Sequence, residues 1–202
     1  MLVLSDKMYV IIILITIITG GLLYFNLQKK NVNLKTITPQ CLVGALKNKN
    51  VLVVNVLSEK IPVHVGLDSD TTSISKDTFE NILKENNGIP ENIDMVILFC
   101  AAWSCSAGEN YFNELVSRNI DSSKIIDYAG GIHEWCCYSK INPDFFKVYS
   151  ENNGELNQIL GDELTELVKN TGHSYKTNLL VNENNKLITD LCKSGLDITN
   201  NM

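Results

Sequence analysis

Three short runs of β-branched and large aliphatic residues, VLVVNVL at 51–57, DMVILF at 94–99 and KIIDYA at 124–129, limit the folds open to this chain more than any other feature. Apolar runs of this length without polar alternation are strands buried on both faces, the kind found in parallel sheets. Between the first two lies KDTFENILKENN at 76–87, with Phe79, Ile82 and Leu83 at helical spacing and an Asn-Asn-Gly stop ahead of Pro90. Between the second and third, SAGENYFNELVSR at 106–118 gathers Tyr111, Phe112, Leu115 and Val116 on one helical face. TPQCLVGALKN opens with the capping-type Thr38 and with Pro39, which is a further helix start. GGIHEW at 130–135 reads as a glycine-initiated turn after the third strand. Strands alternating with helices predict an α/β fold whose predominantly parallel sheet carries helices on both faces.

The N-terminus has a different character. Met8 to Phe25, MYVIIILITIITGGLLYF, holds no charge, and as a helix it would span about 27 Å, near the thickness of a bilayer's hydrocarbon core. One N-terminal transmembrane helix within residues 1–30 is the expectation, with the lipid bilayer as partner through residues 8–25. A cleaved signal peptide competes, but its apolar region is shorter and ends in small residues, whereas Tyr24, Phe25 and Asn26 follow here. A core helix is the third reading. Lys29, Lys30 and Lys35 outnumber Lys7, which predicts a single-pass membrane protein with its C-terminal domain in the cytoplasm.

A net charge of −6 argues against a phosphate-binding surface, so nucleic acid is not an expected partner. Six cysteines at irregular spacing, in a chain long enough to need no staples, predict reduced thiols. After the anchor (1–30) and the α/β domain (31–150), residues 151–202 carry twice as many acidic as basic side chains. Leu156, Ile159, Leu160, Leu164, Leu167 and Val168 recur there at helical intervals, which predicts an acidic, short helical extension.

The second strand leads directly into reactive residues. VILFCAAWSCSAGENYFNELV puts Cys100 at a strand's C-terminal end, Cys105 in the following loop and Ser106 at the start of a helix. In open parallel sheets, ligands bind outside these strand ends. A thiol there can meet unpaired backbone N–H groups and the positive end of a helix, which stabilise a thiolate or a persulfide anion. Cys100 is therefore the candidate nucleophile. The plainer alternative is a cysteine packed at a strand end as a small hydrophobe. Ala101, Ala102, Trp103, Ser104 and Ser106 form the candidate substrate-binding loop. His133, at the same edge of the sheet, could tune the thiolate or donate a proton, or simply sit solvated in its turn.

The order of strand, Cys100, a loop to Cys105, Ser106-Ala107 opening a helix, another strand, and then Gly130-Gly131-Ile132-His133-Glu134-Trp135 resembles the rhodanese-like family. The resemblance covers about 35–150 and is most specific from Met95 to Trp135. It implies a rhodanese-like sheet and a sulfurtransferase activity in which Cys100 carries sulfane sulfur as a persulfide. It also implies that loop 101–105 points its amides into the pocket, and that Gly130, Gly131 and Trp135 are structural. Two departures stand out. Trp103 and Cys105 lie where many members have Gly and Arg, and Asn55 lies where the family often has Asp. The missing loop arginine removes a charge that would hold an anionic donor such as thiosulfate, and Arg118 is the single arginine of the chain.

Cys105 opens other chemistry, because it could attack a Cys100 persulfide or sulfenate and leave a disulfide; it could equally only pack the loop. Three uses follow. One is a membrane-anchored sulfurtransferase passing sulfur from a small donor to a protein thiol acceptor. Another is a thiol–disulfide or persulfide redox protein using Cys100 and Cys105. The third is an inactive rhodanese-like module that binds another protein through Trp103 and the acidic tail. Cys136-Cys137 adds a second thiol cluster, but adjacent cysteines suit one tetrahedral ion poorly, so neither metal nor cofactor is expected. One packed and one half-exposed thiol is the expectation there. His64 and His173 carry no partner pattern.

Overall fold

A computed structural model describes residues 34–171 of the chain. The expected membrane helix at 8–25, and the chain beyond 171 with His173 and Cys192, lie outside the described residues. Among the described residues no helix is long and apolar enough to cross a membrane.

The three apolar runs form three of the four strands of a parallel sheet, the first two at its centre. Helix α1 (Pro39–Leu46) precedes strand β1 (Val51–Asn55); β2 (Val63–Gly66) and the two-residue β3 (Ile74–Ser75) follow. Helix α2 (Lys76–Asn86), strand β4 (Met95–Phe99), helix α3 (Ala107–Ser117) and strand β5 (Ile125–Tyr128) complete the alternating part. The strand order is β3-β1-β4-β5, with Val51 beside Met95, Asn55 beside Phe99, and Phe99 in turn beside Tyr128. All five residues of β4 are buried, as a central strand between two covered faces requires.

Local sequence accounts for the element ends. Pro39 occupies the first helical turn of α1, where its missing N–H costs nothing. Ser75 caps α2 by accepting from the Thr78 amide at 3.1 Å, and Asn87 ends the helix in the left-handed conformation at φ 53°. On one face of the sheet, Val51, Val53, Met95, Ile97, Phe99, Ile126 and Tyr128 join the residues of α1 in the main core. Their alternate neighbours Val54, Val96, Leu98 and Ile125 are also buried, and α2 and α3 contribute Phe79, Leu83, Phe112 and Leu115 as buried residues.

Several expectations need correction. GGIHEW is not a turn: it is the first half of helix α4 (Gly131–Ile141), which places His133 and Glu134 on a helix. A second sheet exists, antiparallel, in the order β2-β6-β7, built from β6 (Lys147–Asn152) and β7 (Glu155–Gln158). Asn153 at φ 51° and Gly154 at φ 82° make the tight β6–β7 turn, with both residues in the left-handed region that such hairpins demand. Leu156 accordingly lies on a strand, and the helix begins only at α5 (Gly161–Thr171).

A domain boundary at 150 would therefore cut β6. Val148, Ile159 and Leu164 all belong to the core, so residues 151–171 are part of the α/β domain rather than an appendage. Trp135 is fully buried, donates from Nε1 to Lys147 O at 3.0 Å and meets Phe146 edge-on, joining α4 to β6. His64, buried on β2, bridges Ser73 O at 2.6 Å and Glu151 Oε2 at 3.0 Å. The expectation of reduced thiols fails at Cys41, which is disulfide-bonded, and holds for Cys100, Cys105, Cys136 and Cys137.

Candidate active site

Strand β4 delivers Cys100 to the C-terminal edge of the parallel sheet, and the chain turns through residues 101–106 into α3, as the sequence predicts. The loop is held from below by α4. Ile132 N–H donates to Cys100 O at 2.9 Å and His133 N–H to Ala101 O at 2.8 Å, so the first-turn amides of α4 are capped by loop carbonyls. This close approach explains Gly131. Its φ is +60°, and a Cβ there would stand 2.3 Å from Cys100 O and 2.9 Å from Ala102 N. Gly130 leaves room of another kind, since a Cβ on it would meet the Glu134 carboxylate.

The surroundings of Cys100 differ from an amide cradle. Cys100 is 3% exposed. Sγ donates weakly to Cys105 O at 3.6 Å and to Ala102 O at 3.9 Å. The Gly108 amide, in the first turn of α3, favours the charged form of the sulfur. The Cys105 thiol in hydrogen-bond contact, then burial, push the Cys100 thiol far above the ordinary range, and Asp127 adds to the shift. Of the loop amides, Cys105 N–H is taken by Ala102 O at 2.9 Å. At neutral pH Cys100 is a neutral thiol.

Other predicted residues fall as follows. Ala101 and Ala102 are buried and contribute carbonyls; Trp103 and Cys105 are partly exposed, and Ser104 and Ser106 are exposed. Ser106 starts α3 without capping it through its side chain; its hydroxyl accepts from Asn110 Nδ2 at 3.4 Å. His133 turns away from the loop. Its Nδ1 lies 3.1 Å from Val168 O on α5 and its Nε2 3.8 Å from Cys137 Sγ, so it does not serve Cys100. Cys136 is sealed in the core, where burial pushes its thiol up to about 12, while Cys137 is half-exposed. Among the described residues no cluster of three metal-ligating side chains exists.

The single arginine is committed elsewhere. Arg118 forks onto Glu80, at 2.8 Å and 2.9 Å, joining α3 to α2, and the Tyr111 hydroxyl donates to the same carboxylate. The guanidinium first, with the Tyr111 hydroxyl, holds Glu80 below the usual carboxylate range despite partial burial.

Sequence reasoning did not single out the Glu134–Tyr128 pair beneath α4. Glu134 Oε2 and the Tyr128 hydroxyl are buried without a hydrogen bond of regular geometry, yet each is the other's principal polar neighbour. Burial raises the Glu134 carboxyl, with Tyr128 and His133 opposing the rise. A folded-state value above the unfolded one adds stability below the usual glutamate value of about 4.3 and loses it as pH rises through the folded value. Glu134→Gln is expected to be more stable than the native chain at pH 7, with the gain gone below about pH 4. Urea denaturation at the two pH values checks it.

No known family's sequence profile matches the chain, and neither a curated protein nor a solved structure is significantly similar to it.

Proposed function

We propose that this chain is a rhodanese-like protein whose Cys100 and Cys105 work together as a dithiol–disulfide pair. The observation that carries the reading is the placement of Cys105 against the buried Cys100, whose Sγ lies 3.6 Å from Cys105 O, while Cys105 is itself partly exposed. Exposure assigns the order. Cys105 attacks the outer partner, a low-molecular-weight or protein disulfide, forming a mixed disulfide and releasing one thiol. Cys100 then attacks Cys105 Sγ, releasing the second thiol and closing the ring. Two electrons and two protons pass from the pair to the substrate. With a persulfide as substrate, the same two electrons yield a thiol and hydrogen sulfide. The roles of the cysteines are reversed relative to the expectation from the sequence, because a neutral, sealed thiol is a poor first nucleophile and a well-placed second one.

A sulfurtransferase with the persulfide on Cys100 is the second reading, favoured by the Gly108 amide on its sulfur. Mass spectrometry of the full chain in detergent, after exposure to a glutathione persulfide donor, separates the two. Loss of two hydrogens with a Cys100–Cys105 cross-link is expected, and Cys100→Ser should trap a mixed disulfide on Cys105. Cys105→Ser that still gains one sulfur atom on Cys100 overturns the dithiol reading in favour of sulfur transfer.

The reading includes tethering through residues 8–25. The lysine flank favours a cytoplasmic domain and the Cys41 disulfide favours an oxidising compartment, so protease protection in sealed vesicles decides the side.

A further inference from the structure

We infer that Cys137 and His133 form a second thiol site, separate from the Cys100–Cys105 pair, that exchanges with low-molecular-weight disulfides. The two side chains lie one turn apart on α4, with Sγ 3.8 Å from Nε2. The other ring nitrogen, Nδ1, is 3.1 Å from Val168 O. A carbonyl can only accept, so it places the imidazole proton on Nδ1 and leaves the Nε2 lone pair facing the thiol. A nucleophile beside a base that a third group orients is the arrangement of activated thiols. Here the third group belongs to another helix, which fixes the ring against α4. Both side chains are partly exposed, unlike Cys136 next to Cys137. Burial, opposed by Lys140, holds the Cys137 thiol above its ordinary value, so the sulfur needs a base during attack, and His133 Nε2 is placed to be that base.

The step balances without an outside oxidant. The Cys137 proton passes to Nε2, the sulfur attacks one sulfur of the disulfide, and the departing thiolate takes the proton back. The products are a mixed disulfide on Cys137 and one free thiol.

The test uses the full chain in detergent with oxidised glutathione, reading the rate of glutathionylation at each cysteine by peptide mass spectrometry. Cys137 is expected to react faster than an unstructured cysteinyl peptide. His133→Gln should slow it at least about tenfold while the Cys100–Cys105 pair is unaffected. Added imidazole should restore the rate in His133→Ala. An unchanged rate in a folded His133→Gln chain overturns the inference. Should that variant unfold, the native chain decides: a Cys137 no faster than the free peptide overturns it equally. Because Cys137 is read apart from Cys105, failure here leaves the dithiol proposal standing, and the converse holds.

Discussion

Asn55→Asp is expected to lose about 3–5 kcal/mol of stability at pH 7, the scale of an uncompensated buried charge. Asn55 is completely buried at the end of β1, where its amide nitrogen donates to Ile61 O and Val63 O, both at 2.9 Å. Its side-chain oxygen accepts from Leu57 N–H at 2.9 Å, so each of its three contacts has the right polarity. A carboxylate would set negative charge against two carbonyl oxygens and take the side-chain donor from both, leaving Ile61 O with the Val63 N–H at 2.8 Å. The protonated acid would supply one O–H for two acceptors. The loop from β1 to β2 is thus tied here by a donor that aspartate lacks. The deficit should also depend on pH. Burial raises the new carboxyl above its unfolded value of about 3.9, so the loss is smallest below that value and grows as pH rises. Urea denaturation from pH 4 to 8 measures it, and a variant as stable as the parent at pH 7 would mean that the loop repacks around the charge.

Gly131→Ala should cost about 3 kcal/mol or more, combining the left-handed backbone penalty with the contact against Cys100 O. The second consequence separates this from ordinary helix-end strain. The methyl group must push loop 100–102 away from α4, breaking the Ile132 and His133 amide bonds to Cys100 O and Ala101 O. Cys100 loses its cover, and its alkylation rate in the folded protein is expected to rise. Thermal unfolding and iodoacetamide labelling read the two effects on one sample. A destabilised chain with Cys100 still protected would show that the loop does not rest on the glycine.

The parts of the fold legible in the sequence were those whose residues carry one period and a plain stop. β1, β4 and β5 are continuous apolar runs, and α2 has Phe79, Ile82 and Leu83 at helical spacing and its terminal Asn87. The second sheet escaped because its strands are short and polar: β2 holds His64, and β7 reads Glu-Leu-Asn-Gln. Leu156, Ile159 and Leu160 fit a helical spacing as well as a strand followed by a helix. The Asn153-Gly154 pair was the signal that could have decided between them. α4 reads as a turn in the sequence because two glycines look like punctuation, whereas Gly131 lets a neighbouring loop pass.

The place of the site was legible and its polarity was not. A cysteine at a buried strand's end can be read from the sequence, but whether amides or carbonyls face its sulfur depends on the path of the loop. Here the Ala102 and Cys105 carbonyls turn inward. The partner of His133 is not legible either, since Val168 sits on a helix that the sequence pattern sets apart.

The engagement of Arg118 with Glu80 reaches beyond the helices it joins. With that guanidinium occupied, every other permanent cation available for a dissolved anion is a lysine ammonium, a compact and strongly hydrated charge with no planar fork. Recognition by such groups discriminates weakly by shape and fades over a Debye length of about 8 Å in physiological salt. Titrating sodium chloride against any anionic substrate should therefore weaken its capture steeply, while a neutral disulfide would be indifferent to the added ions.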